Sequence, residues 1–149
     1  MVENKLVVDT SVLVKWFKET DEQGMAEAIA IKIGFQQGAY SIIIPDLAFY
    51  ELGNVLRWHS RLTPAQAAEK FSDFWLLGLT AQPITVDLGR EALGLAYEFE
   101  ATFYDACFLA LAKQNQCGFI TADLKFYEKI KELDYARPLQ AGERSVKGE

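Results

Sequence analysis

The sequence predicts an α/β domain, a three-layer α/β/α sandwich around a central, mostly parallel β-sheet. Two observations predict it. Three segments, residues 5–9, 41–45 and 118–121, are continuously apolar rather than alternating, which is the pattern of strands buried on both faces. Segments of helical periodicity lie between them, and strands that alternate with helices of this length call for parallel pairing through right-handed crossovers.

Taken in order, residues 5–9 form the first strand, and residues 21–37 the first long helix, with Met25, Ile29 and Ile33 four apart as its inward stripe. Residues 41–45 return as a strand, and residues 45–59 continue as a helix opened by Pro45 and Asp46. Thr63-Pro64 starts another helix, with Ala67, Phe71 and Trp75 on one stripe and closure near Gly78. A weaker strand is expected at 83–86, where proline limits ladder donation. Helices follow at 87–99 and 104–116, the second closed by Gly118. After the strand at 118–121 comes an amphipathic segment, 124–133, and a last weak strand, 137–140. Residues 1–141 read as one domain and 142–149 as a polar tail, with no repeat, low-complexity run or linker.

With 149 residues, half of them hydrophobic, the chain has enough apolar mass for one core without staples. No apolar run approaches the ~20 residues that span a bilayer, and the first residues lack the pattern of a signal peptide, so the expectation is a cytoplasmic protein with no membrane partner. Cys107 and Cys117 fall on or just past one helix, about 15 Å apart at 1.5 Å per residue, which is beyond disulfide reach. They read as reduced core thiols. The single histidine, His59, and the lack of a Cys-x-x-Cys pair exclude an ordinary Cys/His zinc site, so any metal is oxygen-ligated. The net charge of −6 argues against broad electrostatic binding of nucleic acid, although an acidic metal pocket itself contributes to that charge.

Ligands of open α/β sheets sit beyond the carboxyl ends of the strands, and here an aspartate is expected immediately after two of the clearest strands: Asp9 and Asp123. Each also suits a helix N-cap, and the two roles are compatible. Glu51 falls mid-helix at the spacing of Leu47, Val55 and Trp58, so a carboxylate interrupts an apolar stripe; it needs a buried partner or an edge position. Asp105 shares a face with Phe108, Leu109 and Ala112, and N-capping is again the competing account. A shared divalent cation explains all of them together. Carboxylate oxygens are hard ligands suited to Mg²⁺ or Mn²⁺, and clustered like charges repel unless a cation neutralises them or one carboxyl keeps its proton.

Four stretches, Val7-Val-Asp-Thr-Ser-Val-Leu-Val14, Pro45-Asp-Leu-Ala-Phe-Tyr-Glu-Leu-Gly-Asn-Val-Leu56, Thr102-Phe-Tyr-Asp-Ala-Cys-Phe-Leu-Ala-Leu-Ala112 and Phe119-Ile-Thr-Ala-Asp123, resemble in order and separation the four motifs of PIN-domain nucleases. Within that family, length and motif wording are most similar to the VapC-type toxins of toxin–antitoxin pairs. The resemblance implies an endoribonuclease that hydrolyses RNA phosphodiesters with one or two Mg²⁺ or Mn²⁺ ions. It carries metal and catalytic roles onto Asp9, Glu51, Asp105 and Asp123. Asp9 and Asp105 would be the principal ligands, Glu51 a second ligand or the acceptor for the attacking water, and Asp123 the partner of a weaker ion. Thr10, Ser11 and Thr121 are polar neighbours that would orient a ligand or water. The resemblance also implies a cognate antitoxin, seated in an apolar groove with a basic side chain toward the acids, and a homodimer.

Basic or aromatic groups for RNA contact are sought in Lys15 and Trp16, after the first motif, and in Arg57-Trp-His-Ser-Arg61 at a helix end. Core packing of the aromatics and complementation of the helix dipole are the competing accounts. Two other functions compete: a PIN-like RNA-processing or RNA-binding module without a toxin role, and a phosphoacceptor receiver-like domain. The receiver fits less well, because it wants an acidic pair after the first strand and a lysine after the last. Here Asp9 is followed by Thr10-Ser11, and Glu51 and Asp105 would have no role.

Overall fold

The computed structural model describes residues 4–18, 23–59 and 61–139. Five strands form one sheet: β1 (Lys5–Val8), β2 (Ser41–Pro45), β3 (Thr80–Gln82), β4 (Gly118–Thr121) and β5 (Ala136–Pro138). Their order is β3-β2-β1-β4-β5, and every pairing is parallel. The three continuously apolar segments occupy the centre, where Val7, Val8, Ile42, Ile44 and Phe119 are wholly buried. The short strands β3 and β5 form the edges, where the ring of Pro138 is tolerated in the ladder.

Helices α1 (Thr10–Leu13), α2 (Met25–Gln36), α3 (Leu47–Trp58), α4 (Pro64–Trp75), α5 (Val86–Phe99), α6 (Phe103–Gln114) and α7 (Leu124–Ile130) fill the connections, with a 3-10 turn, Val14–Phe17, after α1. Hydroxyl caps fix several starts. Thr63 and Gln66 form a reciprocal capping box at α4, while Thr85 and Thr102 accept from Leu88 N–H and Asp105 N–H at the starts of α5 and α6. Every residue of α6 from Ala106 to Ala112 is buried, which makes it the helix at the heart of the core. Among the described residues no helix is long and apolar enough to cross a membrane.

Several sequence expectations shift. The strand expected at 83–86 lies earlier, at β3: Pro83 has no N–H for the ladder, Thr85 caps a helix, and Val86 already belongs to α5. Pro45 ends β2, paired with Gln82, instead of opening a helix, so α3 begins at Leu47. The last strand sits one residue earlier than 137–140, and Gln140 lies outside the described residues, as do Asp21, Glu22, Ser60 and the tail 142–149. α2 starts only after Gly24, whose φ of 86° suits glycine, and α7 stops at Ile130. The left-handed residue after α6 is Gln116, at φ 53°, and Gly118 is instead the first residue of β4.

The expected inward stripes also turn. Ile29 and Ile33 are exposed on α2, whose buried residue is Ala28. On α4 Phe74 is fully buried, whereas Trp75 stands 61 % exposed with its ring 4.6 Å from that of Phe49. On α3 the buried face is Ala48, Leu52 and Leu56, so Val55 and Trp58 face outward and Glu51 borders the buried face without interrupting it. Cys107 is buried, Cys117 is half-buried, and both thiols are free.

Candidate active site

The sheet places the acids. Because β1 is flanked by β2 on one side and β4 on the other, the chain reverses its direction of growth between β1 and β4, and the crevice at their carboxyl ends is where open α/β sheets bind ligands. Asp9 follows β1 directly, and its N–H donates to Ile120 C=O of β4 at 2.9 Å. Asp123 lies two residues beyond β4. This strand order differs from the 2-1-3-4-5 order of receiver-like sheets, which removes the structural basis of that alternative.

Asp9 is 6 % exposed and held from below. Its Oδ2 accepts from Ser11 Oγ and from Thr121 Oγ1, each at 2.7 Å. The two hydroxyls stitch further: Ala122 N–H donates to Ser11 Oγ at 2.9 Å, and Asp123 N–H to Thr121 Oγ1 at 3.0 Å. Asp9 occupies the N-cap position of α1 without making the capping bond, so its carboxylate serves this network instead. Burial raises its pKa from 3.8 to about 6; the two hydroxyl donors oppose that rise, and the charges of Asp105 and Glu51 add to it.

Glu51 reaches the same region from the second turn of α3, where Thr10 Oγ1 donates to its Oε1 at 2.6 Å. Asp105 stands in the first turn of α6, and the cap of that helix is Thr102, which sequence reasoning missed although the Thr-x-x-Asp spacing signals it. Burial raises the pKa of both acids; Asp105 adds to the rise at Glu51, and Asp123 adds to the rise at Asp105. Asp123 does cap α7, its Oδ1 accepting from Phe126 N–H at 3.1 Å. The four carboxylates are thus electrostatic neighbours. Among the described residues no three of them converge into a ready-made ion cage, and Asp9, Glu51 and Asp123 are each held by their own local donors. None of the four is paired with a guanidinium group among those residues.

Asp105 and Asp123 share a cleft of about 450 Å³ with Glu100, Thr102, Lys125, Phe126 and Lys129. The two lysines were not anticipated. The anticipated contacts do not line this cleft: Lys15 Nζ donates to Gln23 C=O, Arg57 lies 4.2 Å from the Trp58 ring, and Arg61 lines a separate depression with Glu69 and Asp73. Trp16 is a core residue, 7 % exposed, with its indole N–H donating to Ala28 C=O, which excludes it as a substrate platform.

The family model of the PIN domain matches residues 6–132, from the first strand through the acid after β4 and beyond α7. The chain belongs to the PIN domain family. A curated relative, Ribonuclease VapC3 of Pyrobaculum aerophilum, is 27 % identical over 133 residues, covering 87 % of this chain and 97 % of that protein. Among solved structures, a toxin–antitoxin complex from Klebsiella pneumoniae superposes with a TM-score of 0.65 at 16 % identity, over 90 % of this chain and 97 % of its own. VapC20 of Mycobacterium tuberculosis, described as a sarcin–ricin loop cleaving toxin, gives 0.62 at 17 % identity, over 83 % and 93 %. These likenesses confirm the PIN-like α/β fold.

Proposed function

We propose that this PIN-domain protein is a divalent-metal-dependent endoribonuclease and the toxin of a VapBC-type pair. The observation that carries the proposal is that Asp9, Glu51, Asp105 and Asp123 are electrostatic neighbours with no guanidinium partner among the described residues, in a family whose curated relative is a ribonuclease. The donor chemistry fits Mg²⁺ or Mn²⁺: all ligands are hard oxygens, and the raised pKa values of Asp9, Glu51 and Asp105 record burial and mutual repulsion that a cation would relieve. Asp9 and Asp105 would hold the principal ion, with Glu51 as a second ligand or water acceptor and Asp123 serving a weaker ion. When bound, such an ion acidifies water and stabilises charge on the phosphoryl group, so the site needs no histidine or nucleophilic serine.

The residues around the acids supply order. Ser11 and Thr121 fix the rotamer of Asp9, Thr10 fixes Glu51, and Thr102 fixes the turn that carries Asp105. The similarity to a toxin–antitoxin complex supports an antitoxin partner, and the proposal includes a homodimer, a cytoplasmic setting and a domain spanning 1–141.

Purified protein incubated with mixed RNA and Mg²⁺ or Mn²⁺ should cut it, chelator should stop the cutting, and Asp9→Asn should lack it. RNA binding without cleavage under every ion would instead favour a PIN-like binding module, and undiminished cleavage by Asp9→Asn would overturn the assignment of the site.

A further inference from the structure

A chain of net charge −6 that gathers four carboxylates must still hold a polyanion, and that demands cations beside the acids. The cleft that holds Asp105 and Asp123 has two, Lys125 and Lys129, four residues apart and so on one face of α7. They differ in what already occupies them. Lys129 Nζ donates to Glu100 C=O at 2.8 Å, fastening the left-handed turn between α5 and α6 to α7, and its charge lowers the pKa of Asp105. Lys125 lines the same cleft yet has no hydrogen bond or ion pair among the described residues. Other exposed lysines on the surface are paired: Lys113 with Glu91 and Lys131 with Glu128.

We propose that Lys125 is a substrate-binding residue that takes a backbone phosphate of the RNA strand next to the phosphodiester presented to the carboxylates. This rests on the ribonuclease reading above. An ammonium on a flexible stem suits the task, because it neutralises a phosphate without demanding one orientation and so discriminates little between sequences. Phe126, buried beneath the cleft, anchors the helix that presents it, and Lys129 holds the opposite wall in place.

The test is steady-state cleavage of mixed single-stranded RNA by the wild type, Lys125→Gln, Lys125→Arg and the control Lys131→Gln across a salt series, with folding checked by circular dichroism. For Lys125→Gln, KM should rise about three- to tenfold at nearly unchanged kcat, the range of one partly exposed charge contact. The slope of log kcat/KM against log salt should shrink by about 0.7, one single-strand phosphate contact. Lys125→Arg should restore most of the loss, and Lys131→Gln should match the wild type. An active wild type with unchanged KM and slope in Lys125→Gln would overturn the phosphate contact and leave the nuclease reading intact, as would a loss confined to kcat. A wild type that cleaves no RNA under any ion would overturn the nuclease reading and this proposal with it.

Discussion

Asp9 lies 6 % exposed beneath the ends of β1 and β4 and is gripped by two hydroxyls, whereas Asp123, just past the neighbouring strand, stands in solvent and caps a helix. The inner half of the site is a buried polar network whose geometry is fixed and whose charge is costly. Its outer half is an open cleft where Asp123, Lys125 and Lys129 are exposed and their charges cost little, while Asp105 is half-buried and its pKa is raised by that burial. The contrast is between an anchored interior carboxylate and an exposed rim.

The contrast breaks most sharply at Asp9. Asp9→Asn keeps an oxygen for Ser11 and Thr121 but removes the charge, so cleavage should fall to the detection limit while chelated protein becomes more stable. The sign follows from the raised pKa. Ionisation is harder in the fold than in the unfolded chain, so the carboxyl costs nothing while protonated and progressively more as pH rises from about 4 to about 6. Above that window the cost is on the order of 3 kcal/mol, from a shift of roughly two units at about 1.4 kcal/mol each. Denaturant melts of chelated wild type should therefore lose stability across that window, and Asp9→Asn should lose less, keeping only the part due to Glu51 and Asp105. Added Mg²⁺ or Mn²⁺ at pH 7 should raise the thermal midpoint of the wild type and leave that of Asp9→Asn in place.

Thr121→Val is the next largest change, because its wholly buried hydroxyl both donates to Asp9 and accepts from Asp123 N–H. The isosteric swap should cost about 1–3 kcal/mol in a urea titration and about 10- to 100-fold in cleavage, with Thr121→Ser restoring most of both. Thr102→Ala removes the cap that holds the first turn of α6, so it should cost about 1 kcal/mol and loosen Asp105. Asp123→Asn should be mildest in stability, within a few tenths of a kcal/mol by thermal melt, because asparagine caps as well as aspartate. Its cleavage should fall less than that of Asp9→Asn, and equal loss in both variants would erase the division between anchor and rim.

Continuous apolar runs located β1, β2 and β4 because central parallel strands are buried on both faces whatever packs on them. The edge strands were displaced by one residue or more, because β3 and β5 are short, proline-bounded and only partly buried. Stripes of four-residue spacing correctly marked helices, yet Ile29, Ile33, Val55 and Trp58 face outward, since periodicity says that a face exists and only neighbouring elements decide which one is covered. Lys125 and Lys129 went unnoticed because nothing local distinguishes a lysine in a cleft from any other on a helix.

The sequence by itself determined the strand–helix rhythm, the central strands and the four acids, because hydrophobic periodicity and residue chemistry are properties of short segments. Only the tertiary structure decided that Asp9 is bonded to a hydroxyl 112 residues away, that Thr10 holds Glu51, and that two lysines face the acidic rim. Those facts depend on strand order and helix docking. Both are settled by the packing of distant surfaces against one another, which no short stretch of the chain encodes.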